Sequence, residues 1–180
     1  MSNIREISPD LYFLVGMPGV GKTHWGKLWA VEHQLEFIDL DEYIEQTENK
    51  TIPEIFREYG EVRFREIERL CLEEIVTLTT ENTIIACGGG TPCYHDNMEY
   101  MNAHGITIYL EAEPAWIISN LEINPGTRPL LENSEDKVGY ITNLLSIRKH
   151  VYTQAHYNLL ASNFALSIFA EIISPCTNRH

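Results

Sequence analysis

The stretch "LYFLVGMPGVGKTHWG", residues 11–26, limits this chain more than any other part of it. Five apolar residues run directly into a glycine-rich turn, and a lysine and a threonine follow. Residues 16–23 satisfy G-x-x-x-x-G-K-[ST] in full. Glycines at this spacing admit positive φ and let successive backbone N–H groups turn inward as an anion nest. The apolar run reads as a buried strand, Leu11–Val15, and the residues after the turn read as a helix, Lys22–His33. The N-terminus of that helix adds a positive dipole to the nest. The stretch therefore predicts a strand–loop–helix unit that cradles the phosphates of a nucleotide. Gly19, Val20, Gly21, Lys22, Thr23 and His24 are the candidate contacts, with Lys22 reaching the outer phosphates and the Thr23 hydroxyl ligating Mg²⁺.

Beyond this unit, strands are expected at Glu36–Asp39, Thr83–Ala86 and Ile106–Leu110. Helices are expected from Asp41 to about Leu78, around Asn97–His104, at Pro114–Leu121 and at Glu135–Gln154. The long helical block breaks near Thr47–Lys50, where "TIPE" supplies a capping box with proline in the first turn, and again at Gly60. "EINPGTRPLLENSED" reads as a loop, and the tail after residue 154 carries no clear pattern. Strands that alternate with helices imply a parallel sheet between helical layers. In such sheets ligands sit beyond the carboxyl ends of the strands. Gly16–Gly21, Asp39–Asp41, Gly88–Gly90 and Glu111 all lie just past an expected strand, so they are expected to meet in one crevice.

The 180 residues suit one domain with a substantial core. With 26 acidic against 13 basic residues, the net charge of -13 argues against a nucleic-acid or acidic-membrane surface. Cys71, Cys87, Cys93 and Cys176 show neither a C-x-x-C pair nor zinc spacing, which suits thiols in a reducing compartment. The N-terminus lacks the layout of a signal peptide, and no apolar run approaches the ~20 residues of a membrane span. A cytoplasmic protein is expected.

Several side chains are candidates for binding the molecule that receives the phosphate. Asp39 and Asp41 stand two apart at a strand end. At strand period both would face the crevice, one carboxylate serving the Mg²⁺ shell and the other taking a proton from a hydroxyl. An aspartate before "EYIE" is also a good helix N-cap. "GEVRFREIE" puts Glu61, Arg65 and Glu68 on one helix face. That set fits a solvated salt-bridge ladder, and it also fits an arginine fork held by Glu68 and aimed at a substrate carboxylate. Gly88, Gly89 and Gly90 would let a ligand approach the backbone. Arg128, in "TRPLL", could close over transferring phosphates from a loop. Arg148 and Tyr152 share a helix face at i and i+4.

Taken in order and spacing, "GMPGVGKT", "DLD", "FREIE", "GGG", "RPLL" and "RKHVY" resemble the motifs of shikimate kinases over residues 10–155. The resemblance implies a three-layer P-loop kinase fold of the nucleoside-monophosphate-kinase type. It has a five-stranded parallel sheet, a substrate-binding helical region at about 42–78 and a lid at about 122–134. It implies transfer of the γ-phosphate of ATP to the 3-hydroxyl of shikimate, on the way to chorismate and the aromatic amino acids. Position by position, Arg65 and Arg148 would clamp the shikimate carboxylate, Asp41 would hold hydroxyls and act as base, and Gly89 would present its N–H. Thr23 would ligate Mg²⁺ directly and Asp39 through water, and Arg128 would be the lid residue on the phosphates. A monomer working on ATP and shikimate, without nucleic acid or membrane, is expected. The chain departs from the family in having no arginine between Trp116 and Arg128 to stack on adenine. A gluconate-type kinase of the same fold and a non-catalytic nucleotide-binding regulator are the alternatives.

Overall fold

The computed structural model describes residues 9–123 and 136–177. At its centre lies β1 (Leu11–Val15), with all five side chains buried. A strand covered on both faces has no solvent side and therefore reads as an unbroken apolar run. It pairs in parallel with β3 (Thr83–Ala86) and β4 (Ile106–Glu111), so that Phe13 lies between Ile85 and Thr107. β2 (Glu36–Asp39) adds outside β3, and β5 (Tyr157–Leu160) outside β4. The sheet is five-stranded and parallel, in the order β2-β3-β1-β4-β5, as the family resemblance implied.

The helices between the strands are α1 (Lys22–His33), α2 (Leu40–Glu48), α3 (Ile52–Leu78), α4 (Asn97–His104), α5 (Pro114–Ile123) and α6 (Lys137–Tyr152), and α7 (Ile168–Thr177) follows the last strand. α3 begins on the expected capping box, where the Thr51 N–H donates to Glu54 Oε2 at 2.9 Å. It kinks at Gly60, which takes φ 76 and ψ 175, backbone that an L side chain resists. The tail folds into β5, a 3₁₀ turn at Ala161–Asn163 and α7. Its anchor is Phe169, stacked on Trp29 at 5.3 Å and edge-on to Tyr12 at 5.2 Å, while the Trp29 indole donates to Ala165 O. Trp25 and Trp29, one turn apart on α1, thus form the seat for a segment whose own pattern is weak.

Because the strands are parallel, Gly16, Asp39 and Gly88 leave the sheet on the same side. Glu111 ends β4 there too, but its carboxylate takes Lys149 at 2.7 Å and Asn158 at 2.9 Å, which ties α6 to the sheet. Among the described residues, no helix is long and apolar enough to cross a membrane. Arg128 and residues 124–134 of the expected lid lie outside the described residues.

Candidate active site

The cradle forms where the sequence places it. Gly16, Gly19 and Gly21 have φ of 138, 82 and 103, and Gly21 is the N-cap of α1. Lys22 is buried rather than extended from the loop. Its ammonium donates to the carbonyls of Gly16 and Met17, both at 2.9 Å, so the loop itself holds the cation at the nest. The Thr23 hydroxyl donates to Asp39 Oδ2 at 2.7 Å. A hydroxyl and a carboxylate joined beside a phosphate nest are hard oxygen donors, the kind Mg²⁺ takes together with phosphate oxygens. The residues fit that ion.

The two aspartates do not project from one strand, because β2 ends at Asp39. Asp39 is the N-cap of α2: its Oδ1 accepts the N–H of Asp41 at 3.0 Å and of Glu42 at 3.4 Å. The capping role therefore falls on Asp39, and Asp41 sits in the first helical turn with its side chain turned to the triglycine segment. A Cβ on Gly88 would lie 2.8 Å from Asp41 Oδ1, 2.9 Å from Thr91 Oγ1 and 3.2 Å from Glu68 Oε1. Only a residue without a side chain lets these three oxygens approach.

Arg65 is 8% exposed, which removes the solvated-ladder reading. One terminal nitrogen donates to Glu68, itself 1% exposed, at 2.9 Å, and the other donates to the more open Glu61 at 3.1 Å. The guanidinium carbon lies 4.1 Å from the Tyr94 ring centre. Burial opposes the charge, but Glu68 and Glu61 outweigh it and hold the guanidinium pKa above its ordinary value. Its buried Nε–H has no acceptor among the described residues. Arg148 stands near: its charge acts on Glu61, on Tyr152 and, with Arg65, on the Cys93 thiol, which burial pushes up.

The triglycine segment joins the two halves. A Cβ on Gly89 would meet Pro18 of the cradle at 2.6 Å, and one on Gly90 would meet both terminal nitrogens of Arg65 at 2.7 Å. Cradle, Asp41, Arg65 and Gly88–Gly90 are thus one constellation. Sequence reasoning missed the support behind it. The Thr91 hydroxyl donates to Glu68 Oε1 at 2.6 Å, and fully buried Asn97 donates to Thr91 O at 2.8 Å and accepts from Arg69. Asn120, on α5, donates to Gly19 O at 2.9 Å. These contacts span loops and helices, and no local spacing announces them.

The family model "Shikimate kinase" matches residues 18–177. The chain belongs to the shikimate kinase family. A curated shikimate kinase from Phocaeicola vulgatus is 44% identical over 147 residues, covering 81% of this chain and 83% of its own. One from Azobacteroides pseudotrichonymphae is 38% identical over 91% of this chain and 96% of its own. The crystal structure of the Bacteroides thetaiotaomicron shikimate kinase superposes with a TM-score of 0.83 at 37% identity, over 93% of this chain and 98% of that one. The Acinetobacter baumannii enzyme, solved in complex with shikimate, superposes with a TM-score of 0.82 at 32% identity, over 97% and 96%.

Proposed function

We propose that this protein transfers the γ-phosphate of ATP to the 3-hydroxyl of shikimate, giving shikimate 3-phosphate and ADP, in the route to chorismate and the aromatic amino acids. The observation that carries the reading is the buried Arg65 fork, wedged against Gly90 of the triglycine turn whose Gly88 packs on Asp41 and whose Gly89 packs on Pro18 of the phosphate cradle. A fixed fork matches a carboxylate, and a carboxylate base beside it suits a hydroxyl acceptor.

In this reading Arg65 and Arg148 hold the acceptor's carboxylate, and Asp41 orients the attacking hydroxyl and receives its proton. Gly88, Gly89 and Gly90 offer backbone to the ring. Residues Gly19–His24 hold the nucleotide phosphates, and Lys22 and Arg128 neutralise the outer ones. Thr23, directly, and Asp39, through water, would hold Mg²⁺, which when bound shields phosphate charge. The chain works as one domain, with residues 42–78 as the acceptor region, and as a cytoplasmic monomer without nucleic acid or membrane. The test is coupled ADP release with shikimate, gluconate, quinate or no acceptor. Release should depend on shikimate, and equal release with gluconate, or release without any acceptor, would overturn the reading.

A further inference from the structure

Tyr152 is the last residue of α6 and is fully buried. Its hydroxyl donates to the carbonyl of Gly89 at 2.5 Å and lies 3.8 Å from the sulfur of Met17, in the cradle loop. Its ring stacks on Tyr109, at the end of β4, with centroids 5.1 Å apart. One turn earlier on the same helix is Arg148, whose side chain interacts with the Tyr152 hydroxyl. Burial holds the phenol well above its ordinary pKa, so it remains a donor at any working pH. One hydroxyl therefore touches three parts of the site: Arg148 on α6, the triglycine turn and the phosphate loop.

The peptide unit is planar and trans, so its C=O and N–H point in opposite directions. Fixing the Gly89 carbonyl on Tyr152 also fixes the direction of the Gly90 N–H, on the residue that packs against the Arg65 guanidinium. Glycines have little conformational preference of their own. The Gly88 and Gly90 carbonyls accept the N–H groups of Thr91 and Cys93, at 3.1 and 2.9 Å, and the phenol holds the Gly89 carbonyl between them.

We propose that Tyr152 is a positioning residue: its hydroxyl sets the Gly89–Gly90 peptide, and with it the acceptor, relative to the phosphate cradle. The inference rests on the proposed kinase reading. The test is Tyr152→Phe, which keeps the ring and the stack on Tyr109 and removes one atom. Tyr109→Phe is the control, because the buried Tyr109 hydroxyl has no hydrogen-bond partner among the described residues.

With shikimate and ATP varied separately, Tyr152→Phe should raise the shikimate KM about tenfold, the scale of one lost hydrogen bond. Misplacement of the acceptor should lower kcat by a further several-fold, about three to ten. The ATP KM should stay within about twofold, because the cradle keeps its own hydrogen bonds. Tyr109→Phe should leave all three parameters unchanged. A Tyr152→Phe variant that melts earlier but keeps the wild-type shikimate KM would overturn the proposal, leaving the hydroxyl a stabilising contact only. Equal rises in both KM values would overturn it too, since the effect would then belong to the whole site. If the wild-type protein shows no shikimate-dependent ADP release, it is the kinase reading that fails. In that case the position of the Gly90 amide resonance in Tyr152→Phe, compared with wild type, still decides whether the phenol orients the turn.

Discussion

The proposed phosphate cradle and the proposed acceptor site touch at Pro18 and Gly89, yet they are built in opposite ways. The cradle is eight consecutive residues that run from the end of one strand into the first turn of one helix, and its working parts are mostly backbone amides. The proposed acceptor site draws Asp41 from α2, Arg65 and Glu68 from α3, three glycines after β3 and Arg148 from α6. Its side chains are held by one another, through Thr91, Asn97 and Tyr152. A local device fails when its one charged group is lost. A dispersed one can also fail through residues that never touch the ligand.

The largest effect should come from the cradle. Lys22→Met should lower kcat/KM on the order of 10³-fold, since it removes the fixed cation aimed at the transferring phosphate. It also leaves the Gly16 and Met17 carbonyls short of a donor, so thermal unfolding should show a cost of about 1–3 kcal/mol. Near-normal ADP release would mean that phosphate binding does not depend on this lysine, and the contrast between the halves would go with it.

Asp41→Asn comes next. General-base assistance is typically worth about 10²–10⁴, so kcat should fall by at least about a hundredfold. Stability should hardly move, because Asp39 and not Asp41 caps α2. Asp39→Asn makes the counter-case. Asparagine caps a helix about as well as aspartate, but it removes the charge beside the Thr23 hydroxyl. Its defect should be partly relieved by high Mg²⁺, and that of Asp41→Asn should not. Relief of both by the metal would place the two carboxylates in one role.

Arg65→Lys should raise the shikimate KM about tenfold and leave the ATP KM within about twofold, because a lysine keeps the charge but cannot make a planar two-bond contact. A rise in the ATP KM instead would put Arg65 on the nucleotide side.

The same contrast explains what could be read from the residues alone. The cradle, β1, α1 and the break at Gly60 are written in neighbouring residues, so glycine spacing and apolar runs sufficed. Asp41 and Arg65 stood out only as an ordered set, since "DLD" and "FREIE" by themselves also fit a cap and a surface ladder. Which aspartate caps α2 was misread because the change from strand to helix falls between the two. The tail remained obscure because β5 owes its place to pairing with β4, and Phe164 and α7 owe theirs to Trp25, Trp29 and Tyr12, far away in sequence. Thr91, Asn97 and Asn120 act on atoms of other elements, which no local spacing encodes.

The smallest effect should come from Glu61, and it tests whether the two carboxylates on Arg65 are equivalent. Glu68 is buried and also receives Thr91, whereas the Glu61 side chain is 54% exposed. The hydrogen bond from Arg65 holds the Glu61 carboxyl below its ordinary pKa, against a weaker opposing push from burial. A carboxyl depressed on folding contributes stability above its unfolded pKa and loses it as pH falls through the folded value. Between pH 6 and 8, roughly, the pair is fully ionised and adds no pH dependence. Arg65 is buried but keeps Glu68 when Glu61 is lost, so the open Glu61 carboxylate adds about what an exposed partner does, roughly 0–1 kcal/mol before screening by salt. Glu61→Gln should therefore lower Tm by no more than about 2–4 °C at pH 7, and the gap between variant and wild type should close below about pH 4. Melting curves at pH 7 and at low pH measure both. A large loss at pH 7 would show that the open carboxylate, and not the buried one, holds the arginine. The acceptor half would then hang on a group as local and solvent-facing as anything in the cradle.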